Sequence, residues 1–282
     1  MPIKMSNKMQ ILAYRNMYGK LYSIDDRNSK LFNNFLIWLH KCRIYFINTS
    51  RSFLRKLFIS TKNKKINAPP LTSLSKNSET IKNEIQDKGY TFIENFLDYN
   101  FYNFLNKDFP KKYELIKSKD PLKNYNMGFK YVKDKRHLNL ETSSAINTFY
   151  KFILSSEFEN EINYIFNLNK SKLICNAIIT SIAEKNSYLI PHMDDISNTR
   201  NDLNINFIYF VDGNNDDIEH SGGTSIYVDN EAQNTLLKPT TLKNSILIYN
   251  NVDNFYHGFK FMKKNCYRKA ISFQFINDKD LI

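Results

Sequence analysis

Phe32, Phe35, Leu39, Cys42, Phe46, Phe53 and Leu57 recur at spacings of three, four and seven, while Asn33, Asn34, Lys41, Arg43, Asn48, Arg51 and Arg55 fall mostly off that line. This period predicts a basic amphipathic helix over residues 31–59. Residues 60–78, STKNKKINAPPLTSLSKNS, are polar, contain Pro69-Pro70, and predict a linker. Ile81 and Ile85, four apart, predict a helix over 79–88 that stops at Gly89, and YTFIENFL at 90–97 predicts a strand. Helical spacing returns over 99–107 and 142–166, for instance at Phe158, Ile162, Ile165 and Phe166. Residues 120–141 have no clear period and predict a long loop, the kind of segment that carries recognition on a rigid scaffold. His137 in that loop reads as a surface histidine.

From residue 172 the texture changes. KLICNAIITSIA, LNINFIYFVD, GGTSIYV, NSILIYNNV and KAISFQFI are β-rich runs separated by Asn, Asp, Gly, Ser and Lys clusters, with no helical pattern between them. That order excludes a doubly wound parallel sheet. It predicts a mainly β core of α+β class, an antiparallel sandwich or barrel, with a double-sheet jelly roll and flanking helices as the arrangement that fits the element order. The expected organisation is a basic helical arm and linker over 1–70, a helical front over 71–170 and a jelly-roll core over 171–278, the last two forming one domain, 71–282.

Charge sharpens this division. The 282 residues carry a net charge of +12, and residues 1–70 hold 14 basic residues against two acids, Asp25 and Asp26, which accounts for all of it. Residues 71–282 hold 26 of each sign. A protein that coats nucleic acid with a uniformly basic surface is therefore not expected, and the neutral body argues against a nucleic-acid substrate. The arm itself leaves three readings open: packing on the body or a partner, which we rank first, docking on a membrane surface, and binding nucleic acid. Phe35-Leu36-Ile37-Trp38-Leu39 is far short of the roughly 18–20 residues of a membrane span, and no secretory signal is expected. Cys42, Cys175 and Cys266 are too few and too scattered for a disulfide scaffold, so a reducing, cytoplasmic setting is expected, with peripheral membrane contact through 31–59 as the variant.

Candidate chemistry sits on the β-rich half. In Pro191-His192-Met193-Asp194-Asp195, residues two apart on an extended chain share a face, so His192 and Asp194 point the same way and Asp195 points away. His257 follows in YHGF. If strands bring it alongside, two histidines and one carboxylate make a facial set that leaves positions open for a cosubstrate and oxygen on non-heme Fe(II). Arg268, heading the next strand, is suited to a bidentate carboxylate contact. HxD alone is common by chance; the ordered set carries the weight. His220 lies in a polar turn and Cys175 and Cys266 read as core thiols. Tyr188, Asn206 and Tyr209 are candidates for the cosubstrate pocket, with sheet packing as the alternative.

On these residues the chain resembles the 2-oxoglutarate- and Fe(II)-dependent oxygenase superfamily, in particular its prolyl-hydroxylase-like and phytanoyl-CoA hydroxylase-like members. The resemblance spans roughly residues 88–278 through KGYTFIENFLD, YLIPHMDD, RNDLNINFIYFVD, SGGTSIYV, YHGF and YRKAISFQF. It implies a double-stranded β-helix. It implies His192, Asp194 and His257 as iron ligands, Arg268 as partner of the far carboxylate of 2-oxoglutarate, and O2 and ascorbate as oxidant and reductant. Many members carry Ser or Thr two residues after that arginine; here the position is Ala270, and Ser272 on the same strand face is the expected substitute. The carboxylate of Asp194 implies hydroxylation, since halogenating members have a small residue there. Fold does not choose the substrate, and a small or medium organic molecule is expected. Two rivals stay open: a non-catalytic jelly-roll binding module, and a cupin-type metalloenzyme that does not use 2-oxoglutarate.

Overall fold

Two antiparallel sheets and five α-helices emerge in the computed structural model, which describes residues 30–58, 70, 72–118, 124–125, 127–132, 144–166, 173–194, 204–229, 232–250, 255–263 and 265–277. Residues 1–29, most of the predicted linker, His137 and Asp195 lie outside the described residues. The helices are α1 (Lys30–Phe58), α2 (Ser78–Lys88), α3 (Tyr99–Lys107), α4 (Ser144–Ile153) and α5 (Ser156–Ile165). The strands are β1 (Tyr90–Glu94), β2 (Ile116–Lys117), β3 (Asn124–Tyr125), β4 (Gly128–Val132), β5 (Leu173–Glu184), β6 (Tyr188–His192), β7 (Ile205–Gly213), β8 (Ser225–Tyr227), β9 (Thr235–Leu237), β10 (Ser245–Asn250), β11 (Tyr256–Phe259) and β12 (Tyr267–Asn277).

One sheet has seven strands in the order β1-β10-β7-β12-β5-β4-β2, the other five in the order β3-β6-β11-β8-β9. Neighbours in the larger sheet come mostly from distant parts of the chain, as in a double-stranded β-helix with flanking helices. β12 is its spine, pairing along its length with β5 and with β7. Alternation along β12 explains the two-sided core: Ile271, Phe273 and Phe275 face the helices, where they pack with Phe101, Phe149, Phe158 and Ile162, while Ala270 joins Ile208, Phe210, Ile226, Leu247 and Tyr249 between the sheets. Each fully buried Phe of this kind contributes on the order of 2–3 kcal/mol.

Local signals set the helix ends. Gly89 takes the left-handed conformation (φ 80°) that closes α2. Asp98 accepts from the Asn100 and Phe101 amides at the start of α3, and Ser155 accepts from the Phe158 amide at the start of α5.

Two sequence expectations are corrected. The stretch 120–141 is not wholly loop: β3 pairs with β6, and β4 pairs with both β2 and β5. These strands of two and five residues are too short to show a period, and together with β1 they make the front of the domain a contributor to both sheets. The predicted stripe of α1 is also not its packing face. Ile44 and Arg51 are buried, whereas Phe35, Cys42, Phe46 and Phe53 are exposed. The docked face is polar because what it covers is a sheet edge. Asn48 donates to the Lys117 carbonyl (3.0 Å) and accepts from the Lys117 amide (2.8 Å), and Arg51 donates to the Leu115 carbonyl (3.0 Å). β2 ends the seven-stranded sheet, so these bonds satisfy backbone groups that a strand edge leaves open.

Candidate metal centre

β6 and β11 run antiparallel, with His192 and His257 as register partners. Side chains at paired positions stand on the same face, and the two imidazoles lie with ring centroids 4.3 Å apart. Nδ1 of His192 donates to the Ile190 carbonyl (2.7 Å), which leaves Nε2 as the lone-pair nitrogen aimed at Asp194. Asp194 Oδ1 is 3.5 Å from His192 Nε2 and 3.8 Å from His257 Nε2. One ligand atom from each of the three residues falls within 4.8 Å of the other two. Asn206 Nδ2 donates to Asp194 Oδ2 (3.4 Å), turning the other oxygen toward the histidines.

The close approach of β6 and β11 depends on Gly258. A Cβ there would lie 2.5 Å from the Leu189 carbonyl oxygen and 2.8 Å from the Pro191 nitrogen, both backbone atoms. The pairing register shifts between His257 and Phe259, at this same glycine.

These residues fit a divalent cation. Donor separations of 3.5 and 3.8 Å suit an ion roughly 2.0–2.2 Å from each donor. Both histidines are buried and the carboxylate is half-buried, so the face opposite the three donors opens into a cavity. Two imidazoles and one carboxylate on one face are the donor set that suits non-heme Fe(II) with further ligands to bind.

The cavity, about 350 Å³, also reaches Arg268, Ser181, Thr224, Ser272 and Gln274. Arg268 is 2% exposed. Its Nη1 donates to the Gly222 carbonyl (2.9 Å) and to Thr224 Oγ1 (2.8 Å), and Nη2 donates to Ser181 Oγ (3.4 Å). The guanidinium lies over the Phe259 ring, 4.8 Å from its centroid. Nε is buried with no hydrogen-bond partner, and Arg268 pairs with no carboxylate among the described residues. Burial alone pulls its pKa down to about 9. A buried cation with neutral neighbours, facing a cavity, is prepared for an anion that enters from solution.

Of the other residues singled out from the sequence, Asn206 and Ser272 line the cavity. Tyr188 is buried at the start of β6, and Tyr209 turns toward the helices, where its hydroxyl donates to Asn244 Oδ1 (3.0 Å); neither lines the cavity. His220 sits on a 3-10 turn against Asp217, away from the site. Cys175 is a core thiol that burial pushes up to about 12, and Cys266 accepts from the Ser221 hydroxyl. Ala270 is fully buried between the sheets, and the hydroxyls bonded to the guanidinium belong to Thr224 and Ser181 rather than to Ser272. Thr224 had a sequence signal, the Gly222-Gly223-Thr224 run; Ser181 had none.

No family model matches the chain, and no curated protein does. Solved structures do match in fold. A prolyl-4-hydroxylase from Pseudomonas putida superposes with a TM-score of 0.51 at 8% identity, covering 71% of this chain and 98% of that one. A prolyl hydroxylase from Trichoplax adhaerens, solved in complex with a hypoxia inducible factor oxygen degradation domain peptide fragment, superposes with a TM-score of 0.52 at 14% identity, covering 78% of this chain and 97% of that one. The likeness is one of architecture, the double-stranded β-helix with flanking helices.

Proposed function

We propose that this chain is a non-heme Fe(II)- and 2-oxoglutarate-dependent oxygenase that hydroxylates a C–H bond of its substrate. The observation that carries the proposal is the pairing, in one cavity, of the His192–Asp194–His257 donor set with a buried Arg268 that has no carboxylate partner among the described residues. A metal-only reading leaves that cation unexplained.

His192, Asp194 and His257 hold the iron through Nε2, a carboxylate oxygen and Nε2. Arg268 receives the far carboxylate of 2-oxoglutarate, with Thr224 and Ser181 orienting the guanidinium and Ser272 and Asn206 on the same wall. When bound, iron and 2-oxoglutarate supply the oxidising chemistry: one atom of O2 enters the substrate C–H bond as hydroxyl, the other enters succinate, and CO2 leaves. The protein's part is orientation and exclusion of water. Met127, Phe129, Leu189 and Ile208 make the cavity walls largely apolar, which strengthens each electrostatic contact within it. The catalytic unit spans 71–282, with the arm outside it.

A small or medium organic substrate is the first reading. A peptide side chain is the second, favoured by the peptide in the Trichoplax structure of like fold. Turnover of 2-oxoglutarate stimulated by a metabolite pool, against stimulation by a peptide pool, separates them. Calorimetry tests the cofactor set. The intact protein is expected to bind Mn(II), and then to bind 2-oxoglutarate more tightly than it does without metal. Absence of Mn(II) binding would favour a non-catalytic jelly-roll module.

A further inference from the structure

Among the described residues of helix α1, the aromatic side chains lie on the side turned away from the body. Phe46 is 76% exposed, Phe53 62% and Trp38 57%, and Phe35 and Tyr45 are exposed with them. Ile44, Asn48 and Arg51, which hold the helix to the β2 edge, lie on the opposite side. Phe35 and Trp38 stack on each other, with centroids 6.0 Å apart. An array of this kind on a helix of 29 residues, roughly 43 Å long, is more than scattered surface apolarity.

Charge selects the occupant. Lys30–Phe58 contains six basic residues, Lys30, Lys41, Arg43, Arg51, Arg55 and Lys56, and no acid. Lys41 and Arg43 are exposed and lie on the two flanks between the docked side and the aromatic side. Aromatic rings with basic flanks match the acyl–headgroup boundary of an anionic bilayer, where rings sit at headgroup depth and Lys and Arg meet lipid phosphates. A second copy docked on the same side would bring its own Lys41 and Arg43 against these flanks, like charge against like charge. No helix among the described residues is long and apolar enough to cross a membrane, so α1 would lie along the surface.

We propose that the exposed aromatic side of α1 docks this protein on anionic lipid surfaces while its opposite side stays bonded to the β2 edge. The proposal stands apart from the oxygenase reading and survives its failure. Trp38 is the single tryptophan of the chain, so its fluorescence reports the face directly. The intact protein is titrated with phosphatidylcholine vesicles with and without phosphatidylserine. Trp38 emission is expected to shift to the blue on anionic vesicles, with partitioning roughly tenfold or more weaker on neutral ones. The F46S/F53S variant changes two exposed positions and is expected to keep the wild-type melting temperature while partitioning at least about tenfold less. Unchanged Trp38 emission on anionic vesicles would overturn the proposal. So would equal partitioning of F46S/F53S, or a blue-shifted emission without lipid that tracks a dimer in sedimentation.

Discussion

His257 stands directly across from His192 in the β6–β11 ladder, so the two imidazoles of the proposed iron site are fixed by strand pairing rather than by loops. Ladder hydrogen bonds position both Cα atoms, and only Asp194, two residues beyond His192, adds a donor from outside a strand. A site held this way is organised before any ligand arrives.

Gly258 is the weak point of that pairing. Gly258→Ala places a Cβ against the backbone of Leu189 and Pro191, and the strands must separate to admit it. We expect a stability loss of about 1–3 kcal/mol and Mn(II) binding weakened at least about tenfold, since His257 moves with its strand. Thermal melts with and without Mn(II) check both.

Arg268 and the metal donors are expected to separate cleanly in mutants. Arg268→Leu should raise the KM for 2-oxoglutarate by about 10–100-fold, the worth of a charge-assisted contact, while leaving Mn(II) affinity within a few-fold of wild type. Thr224→Val removes one hydroxyl bonded to the guanidinium and should raise that KM only about 3–10-fold. A cupin-type enzyme that ignores 2-oxoglutarate would keep its activity in the Arg268→Leu variant.

Alkaline stability follows from the buried phenols. Burial raises the pKa of Tyr150, despite its bond to Thr180, and raises that of Tyr209 well above the ordinary 10.0. The folded state therefore holds protons that the unfolded chain releases, so this stability is full below pH 10 and is lost as pH rises above it. Denaturant titrations at pH 9 and pH 11 should show the wild type weakening. Tyr150→Phe should start about 1 kcal/mol less stable, having lost its hydroxyl bond, yet lose less across that interval.

The β-rich half was legible because β5, β7, β10 and β12 are long enough to show their runs, and the His192–Asp194 pair because HxD is a local pattern, whereas His257 joins it only through the pairing of β11 with β6. The packing of α1 was not legible. A helical period locates an apolar side, but contact here is with the open edge of β2, which asks for Asn48 and Arg51 rather than for phenylalanine. The partners of Arg268 were hidden for a different reason: Thr224 and Ser181 lie 44 and 87 positions away along the chain. Pairing of β5 with β12 brings Ser181 to the guanidinium, and Thr224, just before β8, comes from the other sheet. Nor does sequence reveal that Gly258 serves close strand approach, since a lone glycine in a short strand has no period to break.

The central claim is tested most directly by release of labelled CO2 from 2-oxoglutarate by the intact, Fe(II)-supplied protein, beside its Asp194→Ala variant. We predict metal-dependent CO2 and succinate in equal amounts from the wild type, and a fall of at least about a hundredfold in the variant, since loss of a direct ligand should exceed the effect of losing an outer-shell contact. An Asp194→Ala protein that turns over 2-oxoglutarate at the wild-type rate would contradict the account.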